Sequence, residues 1–251
     1  MTIKLAYWIC TTPRTGGQLL GQLLRATGIA GRPEEYFWRE NESLYQQLWR
    51  VSAYSDYLRH ALKAGTTPNG VFGAKMDAGG YLSHFEQQLR SLSQFSEPSR
   101  PFHSILISLF PNLQFIWLTR RNKVRQAVSW WKAVQTNEWA RPKGNQPITE
   151  SPLHYDFAAI DQLVNETLLR EAAWQAYFSE WQVRPLALVY EDFTEDYAGT
   201  VARVLDFLGV REPYVLPEAA ITLVKQADAV SEEWVQRYRE EKQRNWTNRA
   251  W

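Results

Sequence analysis

Residues 5–20 read LAYWICTTPRTGGQLL. An apolar run meets a turn carrying three threonines, a proline, an arginine and two glycines, and an apolar pattern of helical spacing follows. A short unbroken apolar run reads as a strand buried on both faces, so the stretch is a strand, a tight turn and a helix. Thr15 stands as its N-cap with Gln18 three residues on, a capping-box spacing, and Gly28 marks its end. Free N–H groups and the positive end of a helix dipole attract anions at such a start. Gly16 and Gly17 let an anion approach the backbone, Arg14 offers a planar fork of donors, and Thr11, Thr12 and Thr15 add hydroxyls. The same residues also suit a plain strand-to-helix turn that needs glycine only for its geometry. The Gly-Lys-Ser/Thr ending of a magnesium-dependent phosphate loop is absent. Gly-Gly-Gln stands in its place, and no later strand ends in an obvious magnesium-binding acid. An ATP-dependent, kinase-like phosphotransferase is therefore the weaker reading, and an anionic nucleotide handled without a metal is the stronger.

Outward from this unit the strand signal recurs. IKLAYWIC (3–10) is followed by VFGAK (71–75), LQFIWLT (113–119) and PLALVY (185–190). Helical patterns cover 18–27, about 42–64, 81–92, 122–139, 157–181, 195–207 and 217–244. Strands alternating with helices predict an α/β fold, a mostly parallel central sheet flanked by helices, with ligands beyond the carboxyl ends of the strands. The 251 residues fit one domain, 1–251. Two stretches rich in Pro, Ser and Gly, 91–102 and 140–152, read as irregular. The second is either a lid or an inert surface loop.

The net charge of +1 gives no basic field for nucleic acid. The single cysteine, Cys10, excludes an internal disulfide, fits a reducing compartment and reads as a small core residue. No apolar run reaches the ~18 residues of a membrane span, and the N-terminus lacks a signal-peptide pattern, so a cytoplasmic location is expected. Most of the twelve tryptophans are expected in the core and a minority at a ligand. The histidines at 60, 84, 103 and 154 lack metal-ligand spacing, and no metal is expected.

A second anion signal is WLTRRNKVRQAVSWW (117–131). Arg120 and Arg121 follow the third strand, and Ser129 lies two turns beyond Asn122 on the same helix face. Cations are unfavourable at a helix start. A start this basic suits a bound anion, although a solvated basic start is the plain alternative.

Together these elements resemble the PAPS-dependent sulfotransferases, and more closely a bacterial branch, the trehalose 2-sulfotransferase-like family. The matching pieces are TTPRTGGQLLGQLLRATGIAGRPEEYF (11–37), VFGAKM (71–76), FIWLTRRNKVRQAVSWWKAVQT (115–136), LVYEDF (188–193) and LVKQADAVSEEWVQRYR (223–239). They cover nearly the whole chain in order. The resemblance implies a P-loop-like sulfotransferase fold and transfer of a sulfuryl group from PAPS to a hydroxyl of a sugar or glycolipid, giving PAP and a sulfate ester, without a metal. By position, Thr12, Pro13, Arg14, Thr15, Gly16, Gly17 and Gln18 match the 5′-phosphosulfate loop, with Arg14 where many relatives carry lysine. Arg121 and Ser129, eight apart, match the 3′-phosphate pair, and Arg120 is the alternative arginine. Glu35 matches the general base of this branch. Tyr36, Phe37 and Trp38 are expected to wall an acceptor pocket, and Lys75, at a strand's carboxyl end, either lines the pocket or contacts the sulfuryl group, or is a plain surface lysine. Arg244 is a candidate for a late basic loop over the 3′-phosphate, or part of a basic tail. A homodimer is implied as well. The rival from another class is a catalytically silent nucleotide- or glycan-binding protein.

Overall fold

The computed structural model describes residues 2–146, 152–224 and 226–251. Four strands, β1 (Leu5–Thr11), β2 (Val71–Asp77), β3 (Gln114–Thr119) and β4 (Leu186–Val189), form one sheet in the order β2-β1-β3-β4, with every neighbouring pair parallel. The α/β expectation holds.

Strand β1 is central, and its alternating side chains explain its uninterrupted apolar sequence. Ala6, Trp8 and Cys10 enter one core with Phe72, Phe85, Phe110, Phe115 and Trp174. Tyr7 and Ile9 enter a second core, on the opposite face, with Leu20, Leu24, Ile116 and Val204. Burial on both faces follows from the helices that parallel crossovers lay over a sheet.

Those helices are α1 (Gly17–Ala26), α2 (Arg39–Trp49), α3 (Tyr54–Gly65), α4 (Tyr81–Arg90), α5 (Phe102–Leu109), α6 (Lys123–Thr136), α7 (Phe157–Glu180), α8 (Tyr190–Glu195), α9 (Tyr197–Leu208) and α10 (Ala229–Lys242). Among the described residues no helix is long and apolar enough to cross a membrane. A third cluster joins α6, α7 and α10 through Val124, Val128, Ile160, Trp234 and Tyr238.

Several expected boundaries move. The helix expected over 42–64 is two, because Arg50 takes a left-handed C-cap (φ 55°) and the Val51 N–H turns back to Gln46 O at 3.0 Å. Helix α5 begins at the end of the stretch expected to be irregular. The final helix is shorter than 217–244, with a 3-10 turn at Glu218–Ala220 ahead of it. Of the candidate lid, 147–151 lie outside the described residues. Its first part pairs with the chain ahead of α10: Lys143 N–H donates to Thr222 O at 2.6 Å and Val224 N–H to Arg141 O at 3.0 Å.

The order β2-β1-β3 makes the chain leave β1 for one side and return on the other. The turn after β1 and the residues after β3 therefore flank a switch point, the usual crevice for a ligand in such sheets. A stretch after α1 runs beside β2, where Glu34 bridges Ala74, which brings the next residue, Glu35, to this crevice. The approach depends on Gly31. Its φ is +71°, and a Cβ there would stand 2.6 Å from Gly73 N. Gly31→Ala is expected to cost about 2 kcal/mol or more from backbone strain and overlap, lowering Tm by about 4–8 °C in a chain this long. Gly28 is also left-handed (φ +73°) but has open space around it, so Gly28→Ala serves as the milder control in thermal unfolding.

Candidate active site

A cavity of about 1440 Å³ opens at the switch point. Its floor is the turn after β1, whose Thr12, Pro13, Arg14, Gly16, Gly17 and Gln18 all line it. The N-cap of α1 is Gly16 (φ 87°), not Thr15, and no side chain caps this helix. Thr15 instead donates its hydroxyl to Thr12 O at 2.9 Å, which spends that group inside the turn and keeps it off the cavity wall. Both glycines are required. A Cβ on Gly16 would stand 2.7 Å from the Tyr190 ring, and one on Gly17 2.8 Å from the Thr11 methyl. With no side-chain cap on α1, its first N–H groups are left to a ligand, as an anion site needs.

Two guanidiniums converge above this floor. Arg14 takes a left-handed backbone (φ 67°). Its Nε donates to Ser129 Oγ at 2.9 Å, and its other nitrogens donate to Trp139 O and Gln226 Oε1, all neutral acceptors. Burial, reinforced by the charge of Arg120, lowers its pKa to about 10. The Glu138 carboxylate opposes that shift but forks onto Arg141, both bonds 2.7 Å. Arg120 is buried over the Tyr190 ring at 4.7 Å, and burial lowers its pKa as well. Its Nε is buried without a hydrogen-bond partner among the described residues, 3.8 Å from Glu191 Oε1. Neighbouring buried cations are costly unless an anion matches them.

The structure separates the two arginines after β3. Arg121 points to solvent, where its Nη2 donates to both carboxylate oxygens of Asp192 at 2.9 and 2.8 Å, outside the cavity. Successive residues leaving a strand face opposite ways, so only Arg120 shares the cavity with Ser129. Arg244 is exposed beyond the end of α10 and does not line the cavity.

At the other end Glu35 is ion-paired with Lys75 of β2, and Asn41 Nδ2 donates to its second oxygen at 3.3 Å. Lys75 is therefore a cavity residue rather than a plain surface lysine. Glu34 faces away and pairs with Arg25. Of the three aromatics expected as pocket walls, only Trp38 reaches the cavity, stacked on Tyr81 at 4.4 Å and 10°. Tyr36 and Phe37 are core residues beneath it. The Tyr36 hydroxyl donates to Arg32 O at 2.9 Å, and Phe37 stacks on Phe85 at 4.1 Å. Among the described residues no group of three or more His, Cys, Asp or Glu side chains is placed to hold a metal.

The profile of the Stf0 sulphotransferase family matches residues 6–241. The chain belongs to the Stf0 sulphotransferase family. Trehalose 2-sulfotransferase of Mycolicibacterium smegmatis is 30% identical over 96% of each chain, and trehalose 2-sulfotransferase of Mycobacterium tuberculosis is 30% identical over 94% of each. A solved structure, a sulfotransferase from Alicyclobacillus acidocaldarius, is similar at a TM-score of 0.49 and 15% identity, over 97% of this chain and 96% of that one.

The cavity also holds residues that sequence reading passed over. Arg170 reaches in from α7 to Asp77 at 3.0 Å and lies 5.0 Å over the Trp130 ring. It stands mid-helix beside Glu171, and no local signal marks it. Asp77, at the end of β2, is buried and spent on Arg170 and the Gly79 N–H. Tyr190, which backs both Gly16 and Arg120, carried a signal in its place at the carboxyl end of β4.

Proposed function

We propose that this sulfotransferase moves the sulfuryl group of PAPS to a hydroxyl of a sugar, with trehalose the first acceptor to test, and releases PAP and a sulfate ester. The observation that carries this reading is the pair of guanidiniums, the half-buried Arg14 and the buried Arg120, sharing one cavity with Glu35. The acceptor class rests on the names of the two 30% identical relatives. A cytoplasmic homodimer is part of the same proposal.

The residues fit a doubly anionic nucleotide. Gly16, Gly17 and the uncapped start of α1 lie at the cavity floor, and Arg120, only loosely paired with Glu191 at 3.8 Å, lines the same cavity. PAPS, when bound, supplies a sulfuryl group on a phosphate leaving group and a separate 3′-phosphate. Arg14 and the N–H groups of the turn stabilise negative charge growing on the leaving oxygen. Arg120 and Ser129 bind the 3′-phosphate. Ser129 Oγ accepts from Arg14, so its own hydrogen is left to donate. Glu35 takes the proton of the acceptor hydroxyl, while Lys75 and Asn41 hold its carboxylate in place. The face of Trp38 and Tyr81 orients the sugar ring. Such transfer asks chiefly for alignment and charge stabilisation.

Two measurements test this. PAP is expected to raise Tm with EDTA present, and an equal or larger rise with ATP and Mg²⁺ overturns the donor assignment. Arg120→Ala is expected to weaken PAP about ten- to a hundredfold, the worth of a charge-assisted hydrogen bond. It should weaken adenosine 5′-phosphosulfate, which lacks the 3′-phosphate, much less. Arg121→Ala is expected to leave PAP within about twofold, because Asp192 already holds that side chain. The reverse ranking returns the role to Arg121.

A further inference from the structure

Four successive backbone carbonyls at the start of the anion turn are each taken by a donor from inside the protein. Thr11 O accepts from Trp174 Nε1 at 3.0 Å. Thr12 O accepts from the Thr15 hydroxyl at 2.9 Å. Pro13 O accepts from Gln126 Nε2 at 2.7 Å, and Arg14 O from Arg120 at 3.4 Å. A carbonyl left facing the cavity would repel an anion, and here each one is occupied.

Gln126 does the most. It is fully buried on α6, and the same Nε2 also donates to Thr12 Oγ1 at 2.8 Å. Pro13 O can only accept, which settles the amide orientation: the NH₂ faces the turn. Oε1 is then buried without a partner among the described residues, a cost that an apolar residue of similar size would avoid. Because Thr12 Oγ1 accepts from Gln126, its own hydrogen must go to another acceptor. No described residue accepts it, and Thr12 lines the cavity.

We infer that Gln126 is a positioning residue that fixes the Thr12 hydroxyl as a donor to the 5′-phosphosulfate and ties the Pro13 carbonyl to α6, so that the turn offers the anion hydrogen-bond donors only. The inference rests on the donor reading above. It needs no contact between Gln126 and the ligand. A residue that merely filled the core would affect every ligand of the cavity alike. A residue that sets the polarity of the turn affects only ligands with a 5′-phosphate.

The experiment is calorimetric titration of the full chain with PAP and with adenosine 3′-monophosphate, which lacks the 5′-phosphate. Parent, Gln126→Met, Thr12→Val and the double variant are compared. Gln126→Met is expected to weaken PAP about tenfold and to leave adenosine 3′-monophosphate unchanged. In the Thr12→Val background its effect is expected to shrink to about two- to threefold, because the two residues share one hydrogen bond. Equal PAP affinity in Gln126→Met and parent overturns the inference, as does a matching loss for both ligands or an undiminished effect in the double variant. A parent chain that does not bind PAP overturns the donor reading and this inference with it. If Gln126→Met does not fold, Thr12→Val and Thr12→Ser decide. Val must lose PAP affinity and Ser must keep it, and parental affinity in Thr12→Val sinks the idea.

Discussion

Glu35→Gln is expected to lower turnover by about 10²–10⁴-fold, the usual cost of removing a general base, while PAP binds about as tightly as to the parent. That loss corresponds to roughly 2.7–5.4 kcal/mol of barrier. A sugar hydroxyl is too weak an acid to be ionised near neutral pH, so its oxygen needs an acceptor for the proton as the bond to sulfur forms. Among the carboxylates lining the cavity, Glu35 has its geometry fixed, one oxygen on Lys75 and the other facing Asn41, and it is the one at the position of the family's general base. Glutamine keeps the size and the contact with Asn41 but cannot take the proton. The fold should survive, because Lys75 lines a cavity open to water rather than a dry core. Glu34→Gln is the internal control. Glu34 pairs with Arg25 outside the cavity, and its loss is expected to leave turnover within about twofold, as for other half-exposed ion pairs. Turnover of trehalose and PAP affinity, measured on both variants, decide the point. Near-parental turnover in Glu35→Gln removes it from the chemistry.

Glu35 was readable only through the family resemblance, at its place in GRPEEYF, whereas the features legible in the residues themselves were local. A glycine-bounded strand–turn–helix unit and an apolar run long enough for a doubly covered strand both lie within a few residues, and all four strands were visible for that reason. What the sequence concealed depended on contacts between distant segments. Nothing in LWRVSAYS marks the break between α2 and α3, since Arg50 adopts its left-handed cap without glycine or proline. Tyr36, Phe37 and Trp38 are equivalent aromatics in sequence, and only the packing of Phe37 on Phe85 and of Trp38 on Tyr81 sorts core from cavity wall. Arg120 and Arg121 are adjacent and identical. Asp192 on α8 distinguishes them by drawing Arg121 outward. Gln126 lies one turn before Ser129, and its role emerges only when the turn after β1 is laid against α6.

Arg14→Met is expected to lower turnover by about 10²–10³-fold, the range for losing one donor aimed at developing charge. The reason lies in what Arg14 touches. Its three hydrogen bonds go to a serine hydroxyl, a backbone carbonyl and a glutamine carbonyl, none of which cancels its charge, and burial already lowers its pKa to about 10. A cation held this way is stabilised by an anion next to it, most of all when that anion is gaining charge. The loss is therefore expected mainly in kcat, with a smaller change in the KM for PAPS, the mark of an interaction that strengthens toward the transition state. Methionine retains most of the stem and bears the same left-handed backbone as any non-glycine residue, so Tm serves as the check that the turn is intact. Arg14→Lys keeps the charge but gives up the fork that binds Ser129, Trp139 and Gln226 together. It is expected to recover part of the turnover and not all. An Arg14→Met enzyme whose KM for PAPS rises while kcat holds would make Arg14 an anchor for the bound donor, and the stabilisation of the leaving group would then fall to the N–H groups at the start of α1.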